Sequence, residues 1–251
     1  MAVMDEFREE REALKNAPFK KKLSYFWGYY KWHVIIIIAA IAIISSFIYE
    51  FVTQKDSAFF GVFLNSFPVE EKSDEYLQNF ASEVGIDTEE FDIGLDTSLF
   101  ISKEGMDQNT MASVQKLMVY IAAAEIDVVA ADTETFEQYA NNNNFADLRD
   151  VLTPEQLAKY EPDFYYVDQA AIDAKDAAND NNDLDYVPSY PDPTKPEEME
   201  QPIPVAIYID SSNPLFESYQ FTKSPIVIGV VINTTRPETA TAFIDYIFQQ
   251  Q

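Results

Sequence analysis

Hydrophobic positions follow two different regimes along this chain. Residues 32–49, WHVIIIIAAIAIISSFIY, carry no formal charge at neutral pH, and eighteen residues at about 1.5 Å rise make about 27 Å of helix, close to the hydrocarbon thickness of a bilayer. The run leaves no polar face, which sets it apart from a half-buried core helix. It reads as a transmembrane helix over residues 32–52, in contact with lipid. Trp27, Tyr29, Tyr30 and Trp32 on one flank and Tyr49 on the other fit the aromatic belts of a membrane interface. Upstream, residues 5–15 have the i,i+4 charge spacing of a short solvated helix. Phe19, Leu23, Tyr25, Phe26 and Trp27, interleaved with Lys20, Lys21 and Lys22, suit a segment lying among headgroups before the chain turns inward.

From residue 55 onward, short apolar runs alternate with stretches of helical period. The runs 58–67, 91–99, 126–131 and 226–232 predict strands. Helices are predicted over 73–84, with Tyr76, Leu77, Phe80, Ala81 and Val84 on one face, and over 109–124, with Met111, Val114, Leu117, Met118 and Ile121 on one stripe. Further helices are predicted over 133–139 and over 237–248, the latter burying Ala240, Phe243, Ile244 and Ile247. Thr153-Pro154-Glu155-Gln156 predicts a helix start, with Thr as cap, Pro in the first turn and Gln closing a capping box. Alternating strands and helices imply an α/β domain with a mainly parallel sheet and flanking helices.

Charge divides the chain at the apolar run. Residues 1–33 hold seven basic and five acidic side chains, whereas residues 55–251 hold 10 basic and 37 acidic ones, a net charge of −27. Five lysines and no acid lie between Lys15 and Lys31, which places the N-terminus, residues 1–31, in the cytoplasm and the domain 55–251 outside. A cleaved signal peptide is the alternative, but its only small-residue site, Ser45-Ser46, falls inside the apolar run, and no cysteine is present for lipid attachment. The acidic surplus repels nucleic acid. Residues 173–200 are rich in acids, asparagine and proline and read as a solvated acidic loop. Within it Asp176, Asp180, Asp183 and Asp185 raise a calcium reading, but the turn glycine and terminal glutamate of an EF-hand loop are missing.

With no cysteine and one histidine, His33, the chain has no disulfide, thiol nucleophile or Cys/His zinc site. Its six glycines never fall in GxGxxG or GxxxxGK spacing, so no dinucleotide or P-loop cradle is present. No cofactor is read from the sequence. Glycoside hydrolysis by two carboxylates remains an open alternative, although no motif selects a pair among 37 acids.

Two blocks carry a family resemblance: IDVVAADTETFEQYANNNNFADLRDVL, residues 126–152, and SPIVIGVVINTTRPETATAFIDYIF, residues 224–248. The first resembles the part of type II periplasmic, or extracellular, solute-binding proteins where a strand ends at the ligand cleft, a helix follows and an ADL-like turn leads toward the hinge. The second is similar to the same family's closing strand and helix. The resemblance implies a lobe of that fold. Between the blocks the family carries a second lobe of comparable size, and here only residues 153–223 are available, so a reduced second lobe is expected.

In open sheets of this class, ligands sit beyond the carboxyl ends of the strands. The candidate ligand-binding residues are therefore Asn65 and Ser66, Asp96 and Thr97, and Asp132 and Thr133, with Asn233 and Thr234 as a further pair. Each has a structural alternative, since Asp132 or Thr133 can cap the next helix and Asn65 or Thr97 can serve a turn. The apolar run and its lysine-rich flank predict a single-pass protein of a bacterial cell membrane, and the resemblance adds the expectation of an extracytoplasmic binding or transporter-accessory module; with no catalytic motif in the sequence, an enzyme is the minority reading. An assembly protein of the envelope that has kept the fold without a ligand is the alternative.

Overall fold

The computed structural model describes residues 18–53, 55–102, 105, 107–183 and 185–249. The chain divides into two compact units, Met1–Gln54 and Lys55–Gln251. In the first, helix α1 spans Phe19–Thr53, and its portion Tyr30–Tyr49 is long and apolar enough to cross a membrane. The helix begins well before the apolar run and is continuous. Residues 19–27, expected as a headgroup segment ahead of a turn, are thus its first turns, and the Phe26 and Tyr30 rings stack along it at 5.2 Å. The predicted helix over 5–15 lies outside the described residues.

The second unit is α/β. Its elements are β1 (Asp56–Phe63), β2 (Ser66–Pro68), α2 (Lys72–Val84), β3 (Phe91–Asp96), α3 (Gln108–Ala122), β4 (Val128–Asp132), α4 (Thr133–Ala140), α5 (Leu148–Val151) and α6 (Pro154–Tyr160). There follow β5 (Phe164–Asp168), α7 (Gln169–Asp180), β6 (Pro202–Ile209), α8 (Leu215–Ser218), β7 (Tyr219–Phe221), β8 (Ile226–Val230) and α9 (Pro237–Gln249). Six strands form one sheet in the order β3-β1-β4-β8-β6-β5, and β2 pairs with β7 in a separate antiparallel ribbon.

The sheet is mixed, which corrects the expectation of a mainly parallel one. β3, β1 and β4 are parallel, and α2 and α3 supply the crossovers that such pairing requires. β8 enters antiparallel between β4 and β6, and β5 is antiparallel to β6. A continuous apolar run such as 226–232 marks a buried strand, but nothing in it specifies direction.

Alternation along the strands loads both faces. Phe59 and Phe63 of β1 and Val128 and Ala130 of β4 face a core closed by α2 and α9, where Tyr76, Phe80, Phe243 and Ile247 are buried. Val62, Val129 and Ala131 point the other way, to a core closed by α3 and α4 through Leu117, Ile121, Phe136 and Tyr139. Helix α3 is rotated from the predicted stripe. It buries Thr110, Ser113, Leu117 and Ile121 and leaves Met111 and Met118 exposed. The Thr153 capping box forms as predicted, with reciprocal bonds to Gln156.

Residues 153–223, expected as a reduced second lobe, instead complete the first sheet by adding β5 and β6. Pro202 and Pro204 disguise β6 as loop, yet they lie where the strand pairs with β5 alone; pairing with β8 starts at Ile207. The expected acidic loop 173–200 also opens as structure. Residues 173–180 belong to α7, whose Ile172 is fully buried and whose Lys175 ammonium donates to the Asn142 side chain at 2.9 Å. The far end of the stretch is held by buried Asp168, whose carboxylate accepts from the backbone N–H groups of Glu200 (3.0 Å), Gln201 (2.9 Å) and Ala170 (3.1 Å). Burial alone raises the Asp168 carboxyl, but these N–H donors outweigh it and hold the group below the usual carboxylate range.

The sheet halves join at Asp127, which is fully buried. Its carboxylate accepts from Phe60 N–H (2.8 Å), from Arg236 Nε (3.0 Å) and from the Thr234 hydroxyl. Asp127→Ala is expected to cost about 3–5 kcal/mol, the typical penalty for orphaning one partner of a buried ion pair. Urea unfolding of residues 55–251 measures this, and Asp127→Asn, which keeps an acceptor, should recover part of the loss. Asp168→Ala should cost about 1–3 kcal/mol through the unpaired N–H groups and speed limited proteolysis within residues 181–195.

Candidate functional site

The carboxyl ends of β1 and β4 meet at a polar knot. Asn65 follows β1 with φ 54°, a left-handed conformation that Asn tolerates better than most residues. Its carboxamide donates to Ile101 O (3.1 Å) and to the Thr135 hydroxyl oxygen (3.1 Å), and it accepts from Ile101 N–H (2.7 Å). Asp132 caps α4, its Oδ1 accepting from Thr135 N–H (3.0 Å) and its Oδ2 from the Thr135 hydroxyl (2.8 Å) and from Asn65 Nδ2 (3.4 Å). All three side chains are buried. Ser66, also buried, donates its hydroxyl to Phe63 O at 2.8 Å.

The other predicted residues lie apart from this knot. Asp96, at the end of β3, pairs with Lys116 of α3 at 2.7 Å and accepts from the N–H (2.8 Å) and hydroxyl (2.6 Å) of Ser98, with half-buried Thr97 beside it. Asn233 and Thr234 follow β8 and, because that strand runs antiparallel, sit at the opposite end of the sheet; Thr234 serves Asp127 there. Thr133 is half-buried, and its backbone N–H donates to Pro225 O at 3.0 Å.

That last bond leads to a cleft of about 720 Å³ at the same sheet end as the knot. Its walls are the carboxyl end of β6, α8, β7 and the strap 222–225 that precedes β8. The strap is pinned at three points: Thr222 N–H to Asn65 O (2.9 Å), Thr133 N–H to Pro225 O, and Lys223 to Glu134 (2.8 Å). Asn65 and Thr133, singled out from sequence as ligand contacts, thus hold the cleft wall through their backbone groups. Tyr208, Phe216 and Phe221 supply aromatic surface, with Phe216 and Phe221 edge-to-face at 6.0 Å. Asp163, Asp210, Gln220 and Lys223 supply the polar rim.

Burial, and then the nearby Asp192 charge, push the Tyr208 hydroxyl up to about 12, so it remains an O–H donor at neutral pH. The hydroxyl and N–H of Ser212 hold Asp210 below the usual range, so it is ionised there. Sequence reasoning missed these residues because they follow the proline-rich stretch that reads as loop. The apolar run VAIYI, 205–209, and the spaced aromatics Phe216, Tyr219 and Phe221 are the signals that mark them. Among the described residues no three His, Asp or Glu side chains converge as a metal site.

No protein-family model, curated protein or solved structure matches the chain.

Burial tends to raise the Asp96 carboxyl, but the Lys116 ammonium and the Ser98 donors overcome it and lower the group. A lowered carboxyl contributes stability above the ordinary Asp value of about 4 and loses it as pH falls through the folded-state value. Lys116→Met should therefore move the Asp96 titration upward, as followed by carboxyl NMR shifts, and reduce the stability difference between about pH 6 and pH 3.

Proposed function

We propose that this chain is a single-pass, membrane-anchored binding module, with residues 1–31 in the cytoplasm and a solute-binding-like α/β domain outside a bacterial cell, serving a membrane partner such as a transporter. The observation that carries this reading is the 720 Å³ cleft with aromatic surface and a polar rim, a size and lining typical of small-molecule sites. The two blocks that carry the resemblance contain β4 and β8, which are hydrogen-bonded neighbours from Val128↔Val230 to Asp132↔Ile226. The ligand is neutral or cationic, because a domain of net charge −27 repels anions.

A second reading, an envelope assembly protein, is favoured by the exposed apolar residues Met111, Met118 and Val119 on α3. Two measurements test the proposal. Protease added to spheroplasts should digest the acidic domain and spare roughly the first 30 residues, in keeping with the lysine-rich flank; full protection of the domain would overturn the topology. A thermal-shift screen with sugars, peptides and amino acids should find a solute that stabilises the domain, by about 2.7 kcal/mol at one hundred times Kd. No shift with any of them, together with a protein partner cross-linked through α3, would give the second reading first place.

A further inference from the structure

We infer that the cleft selects an organic cation with a flat apolar body, an inference that rests on the reading of this cleft as a ligand site. Tyr208, Phe216 and Phe221 present aromatic surface to the cleft, and aromatic faces attract cations as well as apolar rings. The charges around it are unequal. Lys223 is the basic residue of the lining, and its ammonium already lies 2.8 Å from the Glu134 carboxylate. Asp163 and Asp210 line the same space, and among the described residues neither belongs to an ion pair.

Asp210 uses Oδ1 to accept from Ser212 N–H (2.8 Å) and the Ser212 hydroxyl, a turn that fixes the carboxylate while Oδ2 takes no bond among the described residues. The rim therefore carries two carboxylates beyond those that its own cation neutralises. A protonated amine satisfies them, an amide forgoes the charge-assisted bonds, and a carboxylate is repelled by both the rim and the domain's field. The aromatic surface then holds the apolar part of the same molecule.

The test uses the full chain in neutral detergent micelles, with blank-micelle heats subtracted, and three matched probes titrated calorimetrically: tryptamine, N-acetyltryptamine and indole-3-propionate. Tryptamine should bind at least ten-fold more tightly than the neutral amide, with indole-3-propionate weakest. The exposed pair Asp163→Asn and Asp210→Asn should lower tryptamine affinity at least ten-fold while leaving the amide unchanged. Gln220→Trp, which fills the cleft from an exposed position on β7, should remove binding of all three; melting curves check that both variants are folded. Equal affinities for amine and amide, both lost in Gln220→Trp, would overturn the cation inference and leave the cleft as the site. No binding by any probe, or tryptamine binding unaffected by Gln220→Trp, would overturn the inference and the cleft reading together.

Discussion

Asp127 is the constraint on which the mixed sheet depends. Its backbone exchanges bonds with both neighbouring segments, donating to Phe60 O at 2.7 Å and accepting from Val231 N–H at 2.9 Å. Its carboxylate reaches Phe60 N–H, Thr234 and Arg236, and the Arg236 guanidinium also donates to Glu125 O at 2.6 Å. One residue thus ties β1 to β4 on the parallel side and fixes the turn from β8 into α9 on the antiparallel side. A buried ion pair adds little net stability over an apolar substitute, because desolvation offsets its attraction. Its value here is specificity: displacing β8 along β4 would leave a buried carboxylate without its donors.

Packing around that junction is close. A Cβ at Gly229 of β8 would lie 2.9 Å from Phe136 Cζ and 2.8 Å from Val205 O. Glycine there lets Phe136 and Phe145 stack at 4.1 Å over the strand. On the opposite face an aromatic series runs from the core to the cleft: Phe63 contacts Phe221 at 5.5 Å, and Phe221 contacts Phe216 at 6.0 Å. The cleft's aromatic surface is thus continuous with the folded core.

The acidic composition is partly structural. Asp107, Asp132, Asp147 and Asp168 each cap a helix, accepting backbone N–H groups where the helix dipole also favours negative charge. Asp132 illustrates how a residue that looks like a ligand contact can be used within the chain: its oxygens meet Thr135 and Asn65, and the neighbouring backbone steadies the strap beside the cleft. Asp163 and Asp210 are the acids that face the cleft itself.

Local pattern alone determined the apolar N-terminal helix, the α/β class, the strands β1, β3, β4 and β8, and the helices α2, α3, α4, α6 and α9, because periodicity and caps are properties of neighbouring residues. It also drew attention to Asn65, Asp132 and Thr133 at strand ends. Tertiary structure decided the rest. The direction of β8 depends on its partners and moved Asn233 and Thr234 to the far end of the sheet. The strands β5 and β6, which flank the acidic, proline-rich stretch 173–200 and are not among the predicted strands, are defined by pairing that runs from Phe164↔Ile207 to Asp168↔Pro202. The cleft joins residues from 163 to 226 that share no local motif. Hydrogen-bond partners and enclosed space are long-range quantities, and no window of sequence contains them.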